Sequence, residues 1–316
     1  MEQRLRETLS KVMQGRIVFD PPLSRFTSLK VGGPAWAWAA PESEAELGKL
    51  MEFLLLHSVP YTVIGNGSNL LASDTGYKGV LVSLERCFGD VDFLTEGDLV
   101  MAEAGAGASL SALVHRCTSL GYEGLEFAAG IPGTVGGAVR MNAGASGGQM
   151  EDVVRFVDVV TPNGDQIVMD WDELHFSYRN LALQPGWIIA RATLKLTAST
   201  PEKVEARVRE LLARRAGQPR AKGVAGSIFK NPPGDAAGRL IERAGFKGFA
   251  IGGARVSEEH ANWIVTDGQA RAQDVLSIMD KVKETVFDKF GAQLEPEIIL
   301  LGFNNHREYG TEKKQI

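Results

Sequence analysis

Two glycine-bearing stretches carry the groups that could do chemistry. The first is GNGSNLLASD, residues 65–74, at the end of the apolar run YTVIG. Gly65 and Gly67 permit a tight turn, and Ser68 and Asn69 add donors, so the loop can present N–H groups to a phosphate. The second is GIPGTVGGAVRMNAGASGG, residues 130–148, with seven glycines in nineteen residues. A flexible linker would be rich in serine and charge. Here Ile131, Val135, Val139 and Met141 fall between the glycines and have the character of buried residues. Glycine costs conformational entropy unless the chain needs positive φ or a close approach, so a ligand is expected against this backbone. One polar loop and one apolar loop match the two needs of a dinucleotide, a charged diphosphate and flat apolar rings. Either loop alone would also serve as an ordinary turn. Neither follows G-x-G-x-x-G or G-x-x-x-x-G-K-[ST], so Rossmann and P-loop sites are not supported. His57, His115, His175, His260 and His306 show no ligand spacing, and no metal site is expected.

The elements that must position these loops are mixed α and β. AWAWAAP (35–41) reads as a strand. Ser43 with Glu46 forms an S-x-x-E capping box, and Leu47, Leu50, Met51, Leu54 and Leu55 follow on one helical face. With YTVIG this makes a β-α-β unit of about thirty residues. Strands are expected over 79–84 and 99–106, and a helix over 109–121 closed by Gly121. Past the glycine-rich stretch, two strands meet at a turn of Pro162, Asn163 and Gly164, and 187–196 is a further strand. Pro201 opens a helix whose inner face is Val204, Val208, Leu211 and Leu212. Residues 216–238 form a long loop region, and long ordered loops are usually functional. A short helix (AGRLIERAG), a strand (NWIVTDG), a helix over 270–290 with Val275, Ile278, Val282, Val286 and Phe290 inward, and a final strand (PEIILLG) complete the chain.

The 316 residues allow two or three domains, and 44% hydrophobic with 23% charged content is ordinary for a soluble globular protein. A net charge of −5 argues against a nucleic-acid binder. No apolar run reaches the roughly 18–20 residues of a membrane span. The N-terminus lacks an apolar core, so no signal peptide is expected. Cys87 and Cys117 make neither a disulfide framework nor a zinc spacing, and a reducing cytoplasm is expected.

Taken together, these stretches resemble the flavin-binding domain of the UDP-N-acetylenolpyruvoylglucosamine reductase (MurB) family, whose fold is related to the vanillyl-alcohol oxidase flavoproteins. FTSLKVGGPA, GNGSNLL, GIPGTVGGAVRMNAGA, FSYRN, GSIFKNP, AGRLIERAGFKG, GGARVSEEHANWIVTDGQA and LEPEIILLG stand in family order over residues 20–303. The resemblance implies an α+β fold: a two-lobed FAD-binding domain of the vanillyl-alcohol oxidase/PCMH type over 1–199, its lobes meeting near 85, and a smaller α+β substrate-binding domain over 200–303. The segment 291–316 is expected to pack back near the flavin domain. FAD would lie on Gly65, Asn66, Gly67, Ser68, Asn69 and Leu70 and on Gly130, Ile131, Pro132, Gly133, Thr134, Gly136, Gly137, Asn142, Ala143 and Gly144. The partners implied are two small molecules, NADPH and UDP-N-acetylglucosamine enolpyruvate, with neither nucleic acid nor membrane, and a monomer is expected.

The family's chemistry is a hydride passed from NADPH through FAD to the enolpyruvyl C3, followed by protonation at C2. It needs a cation at the substrate carboxylate, a proton donor at C2 and walls that exclude water. By resemblance Arg179 in FSYRN is the cation, Glu297 in LEPEIILLG stabilises the intermediate and Ser227 in GSIFKNP is the proton donor. Tyr178, Arg215, Lys230 and Asn231 are substrate contacts, Glu295 is structural, and His260 is at least as well explained by a structural role. The family loop usually begins with three glycines; here Asn66 holds the middle place, and asparagine tolerates positive φ. Ser146 stands where many members have tyrosine. Only seven residues separate Arg179 from Trp187, which places the chain in the short-loop class. Another flavoprotein oxidoreductase of the superfamily would show the same glycine loops, but it gives no reason for GSIFKNP or LEPEIILLG.

Overall fold

The computed structural model describes residues 2–13, 16–215, 217–219 and 223–303. The chain opens with α1 (Glu2–Val12), β1 (Arg16–Phe19), β2 (Ala35–Ala40), α2 (Glu44–Leu56), β3 (Tyr61–Val63), β4 (Leu70–Ala72) and β5 (Tyr77–Val82). Their main sheet has the order β1-β2-β5-β3, with β2, β5 and β3 parallel and β1 antiparallel at the edge. The β-α-β unit is present, but β5 inserts between its two strands. At the start of α2 the Ser43 hydroxyl accepts the Glu46 N–H at 3.2 Å, while the Glu46 carboxylate takes the Glu42 N–H at 2.8 Å.

A second sheet follows: β6 (Val91–Glu96), β7 (Leu99–Gly105), α3 (Leu110–Leu120), β8 (Tyr122–Glu123), α4 (Val135–Arg140), β9 (Gly144–Ala145), β10 (Gly148–Gln149), β11 (Val154–Val160), β12 (Gln166–Asp170), β13 (His175–Ser177), β14 (Asn180–Ala182) and β15 (Ile188–Ala198). Its order is β12-β11-β15-β7-β6, all antiparallel, with β8 added on β15. α3 ends on Gly121, whose left-handed conformation supplies the stop read in the sequence. One large core runs through both sheets and includes Leu47, Leu50, Val80, Val100, Leu113, Val135, Val157 and Leu194.

The last part holds α5 (Pro201–Arg214), α6 (Ala237–Ala244), β16 (Ala250–Ile251), β17 (Ala254–Val256), β18 (Ile264–Thr266), α7 (Ala272–Phe290) and β19 (Ile299–Leu301). Its core joins Leu240, Ile241, Val275, Ile278 and Val282 to Leu29, Val31 and Leu71 from the first sheet region. β19 returns to pair in parallel with β4, Ile299 opposite Leu70 and Leu301 opposite Ala72. The segment expected to pack back therefore reaches the first glycine loop up to residue 303, and 304–316 lie outside the described residues. Asp74 adds a second tie: its carboxylate accepts the Ala272 and Gln273 N–H groups at 2.8 and 3.0 Å, capping α7 from a distant part of the chain.

Two faces read from periodicity need correction. Leu55 is 52% exposed, and Phe53 takes the inner place on α2 beside Leu47, Leu50, Met51 and Leu54. On α5 Val204 and Leu211 are buried, but Leu212 is 41% exposed. It walls a cleft of about 400 Å³ between α3 and α5 that runs up to Gly130. Both errors fall at one edge of an apolar stripe, where a step of 100° per residue separates wall from solvent.

Candidate active site

β3 ends at Val63 and the chain turns through residues 65–69 into β4. The left-handed residue of this turn is Gly67, φ +59°, where a Cβ would stand 1.8 Å from the Phe26 carbonyl oxygen. The requirement for positive φ thus falls on Gly67 and not on Asn66. Among the described residues no acceptor takes the N–H groups of Gly65, Asn66, Gly67, Ser68 or Asn69. The carbonyls of the turn are used instead: Gly67 O takes the Ser28 N–H at 3.0 Å and Ser68 O the Gly226 N–H at 3.4 Å. A run of free backbone donors on an open turn fits a diphosphate.

The second loop leads into α4. Thr134 caps it, accepting the Gly137 N–H at 3.4 Å. A Cβ at Gly136 would lie 2.6 Å from the Ala106 Cβ, so this glycine is there to let helix and sheet approach. Gly137 is exposed, and a Cβ there would meet only the Thr134 hydroxyl, at 3.4 Å. The glycines therefore divide between internal packing and an open face. Val135 and Val139 are buried, while Ile131 and Met141 are half-buried. The Ser68 hydroxyl donates to the Pro132 carbonyl at 3.2 Å, so the two loops touch. Their free donors, open glycine face and apolar flank fit a flavin dinucleotide.

Arg179 lies in the two-residue turn between β13 and β14, at φ +59°. A non-glycine residue held there costs on the order of 1 kcal/mol and needs support from its surroundings. Its Nε donates to Glu297 Oε1 at 2.8 Å, its Nη2 to the Gly144 carbonyl at 3.0 Å, and its Cζ stands 5.0 Å from the Tyr178 ring centroid. The side chains of the pair are only 20% and 15% exposed. Burial pushes the Glu297 carboxyl above its ordinary range, and the nearby charges of Arg179 and Lys230 pull the other way. Nη1 of Arg179 has no partner among the described residues and is free for a carboxylate.

Residues 226–231 run beside 295–298. Ile228 O takes the Glu297 N–H at 2.8 Å, and Lys230 N donates to the Glu295 carbonyl at 2.9 Å. Asn262, buried, binds both the N–H and the carbonyl of Phe229, at 3.0 and 2.8 Å. The Asn69 amide donates to the Glu297 carbonyl at 2.9 Å. Ser227, half-buried, stands one residue from this junction. The ammonium of Lys230 lies 3.8 Å from the exposed Glu295 carboxylate, a contact of little energetic weight.

The structure thus brings Arg179, Glu297, Ser227 and Lys230 beside the first glycine loop. Other residues take different places. Asn231 accepts the Ala237 N–H at 3.0 Å and so holds the start of α6. Arg215 sits by the second loop, with Nη1 on the Ala129 carbonyl at 3.3 Å and Nε on Gln218 at 3.1 Å; burial lowers its pKa. Asn142 is wholly buried, its amide spent on Glu151 and Ser177. His260 Nδ1 accepts the Asn262 N–H at 3.2 Å, and burial lowers its pKa too. Asp74, Arg140 and Glu151 support the site with no motif to mark them. Their only signal is a polar residue inside or just after an apolar, glycine-rich run. Among the described residues no cluster of His, Cys, Asp and Glu is placed to hold a metal, and no helix is long and apolar enough to cross a membrane.

Residues 36–170, which contain both glycine loops, match the family model of the FAD binding domain, and 218–301 match that of the UDP-N-acetylenolpyruvoylglucosamine reductase C-terminal domain. Fold and site together define an FAD-dependent flavoprotein. UDP-N-acetylenolpyruvoylglucosamine reductase of Caldanaerobacter subterraneus subsp. tengcongensis is 42% identical over 308 residues, 96% of this chain and 99% of that protein. The enzyme of the same name from Heliobacterium modesticaldum is 44% identical over 297 residues, 93% of each. The chain belongs to the UDP-N-acetylenolpyruvoylglucosamine reductase family. The crystal structure of the Thermus caldophilus member superposes with a TM-score of 0.79 at 40% identity, over 92% of this chain and 99% of that one. 6-Hydroxy-D-nicotine oxidase of Arthrobacter nicotinovorans, 13% identical with a TM-score of 0.54 over 89% of this chain and 88% of that one, shares the fold alone.

Proposed function

We propose that this chain reduces UDP-N-acetylglucosamine enolpyruvate to UDP-N-acetylmuramate with NADPH, a step of peptidoglycan precursor synthesis in the cytoplasm. The flavin domain is taken as 1–199 and the substrate domain as 200–303. Bound FAD supplies the relay that accepts hydride from NADPH and delivers it to the enolpyruvyl C3. Residues 65–70 and the exposed side of 130–137 would hold the cofactor. Arg179 offers its free Nη1 edge to the substrate carboxylate, where negative charge grows as C3 is reduced. Glu297 fixes the other edge of that guanidinium. Ser227 gives the proton to C2, and Lys230, three residues on, is the cation proposed to ease loss of the hydroxyl proton. Arg215, half-buried with no carboxylate partner among the described residues, would meet a phosphate of NADPH or of the UDP group. All these residues lie on one chain, so a monomer suffices.

The observation that carries this reading is a chain of direct hydrogen bonds that joins residues 68 and 69 to 226 and 297, and 297 to 228 and 179, with Ser227 between two of its members. The test is NADPH oxidation by the flavin-loaded protein with and without UDP-N-acetylglucosamine enolpyruvate. Turnover that requires the enolpyruvyl compound supports it. Turnover with oxygen alone, unchanged by that compound, would move the chain to an oxidase role.

A further inference from the structure

Arg179 is held in a left-handed turn by something other than its own sequence. Three alternate residues at the end of the glycine-rich stretch reach into that hairpin. Arg140 Nη1 donates to Asn180 Oδ1 at 2.8 Å and to the Leu181 carbonyl, on the arm after the turn. Asn142 Nδ2 donates to the Ser177 carbonyl at 3.1 Å, on the arm before it. The Gly144 carbonyl receives Arg179 Nη2 at 3.0 Å. Ser177 and Asn180 are the pair that closes the turn, so both arms are gripped at their closest point to Arg179.

Asn142 is the centre of this grip. It is 0% exposed and sits at φ +39°, a conformation asparagine tolerates better than most residues. Its amide oxygen accepts the Glu151 N–H at 3.0 Å, and its amide nitrogen also reaches Glu151 Oε2 at 3.3 Å. Gln149 braces the same carboxylate oxygen at 3.0 Å. A side chain with no accessible surface and its donors already placed has nothing left to offer a cofactor. We infer that Asn142, with Arg140, is a positioning residue that sets the guanidinium of Arg179, and that the Asn142 side chain is not a flavin ligand. This rests on the reaction proposed above.

The test uses Asn142→Gly, which keeps the positive φ and removes the amide, on the flavin-loaded protein. Anaerobic stopped flow at 450 nm separates the half-reactions. Reduction by NADPH and the Kd for FAD should stay within about threefold of the parent, and reoxidation by the enolpyruvyl substrate should slow by roughly 10²-fold, the scale of a misplaced reacting group. The Asn142→Gly/Arg179→Lys double variant should reoxidise no more slowly than Arg179→Lys alone, because both changes remove the same interaction. Slowing that multiplies in the double variant, or a large loss of FAD affinity, would overturn the inference. If Asn142→Gly does not fold, Arg140→Met is put through the same cycle with the same criteria. A readout free of turnover is the NMR signal of the Arg179 Nε–H in the protein without flavin, assigned by its loss in Arg179→Lys. It should shift and exchange faster in Asn142→Gly, and an unchanged signal would count against the grip. A parent enzyme inert toward the enolpyruvyl compound would sink the reaction while leaving this measurement intact.

Discussion

Replacing Glu297 by glutamine should cost activity but not stability. The change keeps the shape, so Arg179 Nε still finds an oxygen at the position it now reaches at 2.8 Å. A charge-assisted hydrogen bond becomes a neutral one, a loss of about 1 kcal/mol. Against this stands the cost of burying the carboxylate. Burial outweighs Arg179 and leaves Glu297 with a proton affinity above its ordinary value of 4.5. Every tenfold difference in that affinity between folded and unfolded chains is worth ~1.4 kcal/mol at neutral pH. The sign follows from linkage: a carboxyl that holds its proton more tightly when folded contributes stability that is complete below the unfolded value and is lost as pH rises through the folded one. The parent and Glu297→Gln should therefore be about equally stable near pH 4.5, and the variant should become the more stable of the two toward pH 8. Glu297→Ala should behave differently. It removes the acceptor of Arg179 Nε together with the charge and leaves a guanidinium that is only 20% exposed without a partner there, a change that costs about 3 kcal/mol at the lower end of the range for broken buried pairs. Urea unfolding of all three proteins with excess FAD, followed by tryptophan fluorescence at pH 5 and pH 8, decides the matter. If Glu297→Gln proves less stable than the parent by ~2 kcal/mol at pH 8, the pair is a structural clasp and the burial argument fails.

Arg179→Lys keeps the charge but loses the fork that holds Glu297 and Gly144 together with a substrate carboxylate; substrate-driven flavin reoxidation should fall by roughly 10²-fold, and near-normal turnover would make Arg179 a simple point charge. Ser227→Ala should leave NADPH reduction of the flavin within a few-fold and slow the second half-reaction by about 10²–10⁴; equal slowing of both halves, seen by anaerobic stopped flow, would make Ser227 a positioning group. Gly67→Ala places a Cβ 1.8 Å from the Phe26 carbonyl and strains a left-handed residue by at least about 1 kcal/mol; it should lower both the melting temperature and FAD retention on gel filtration, and an unchanged FAD content would show that the first loop does not need this turn.

The elements were legible where short-range physics decides them. The Ser43 cap, the Gly121 stop and the Pro201 start each follow from a local hydrogen bond or a restricted φ. The glycine-rich stretch falls within the FAD binding domain match, but its division of labour was not legible. Gly136 cannot be told from Gly137 in the sequence, yet it faces Ala106, and Asn142 a few residues on faces the Arg179 hairpin. The motifs named Arg179, Ser227 and Glu297, but nothing local could say that the first and last are 2.8 Å apart. That contact depends on pairings between distant parts of the chain: Ile228 with Glu297 and, through the β4–β19 ladder, Leu70 with Ile299. Such pairings are set by the whole core, and periodicity carries no information about them.

Those pairings also divide the site mechanically. Ser227, Lys230 and Glu297 belong to a part of the chain whose core includes Leu29, Val31 and Leu71, whose last strand lies on β4, and whose longest helix is capped by Asp74. Ser227, the proposed proton donor, and the first glycine loop are therefore tied to one packed core. Arg179 comes from the other sheet, on a hairpin gripped by residues 140–144. In the proposed reaction Arg179 and Ser227 would meet the substrate from these two parts of the chain, which the Arg179–Glu297 pair joins. A carboxylate entering at Nη1 would add a second negative charge to a guanidinium already bound to Glu297. That second anion raises the proton affinity of both carboxyls, and it does so at the stage when charge grows on the substrate. Burial already pushes the Glu297 carboxyl upward, so in the reaction proposed above this group would be the better placed of the two to take up a proton as that charge grows.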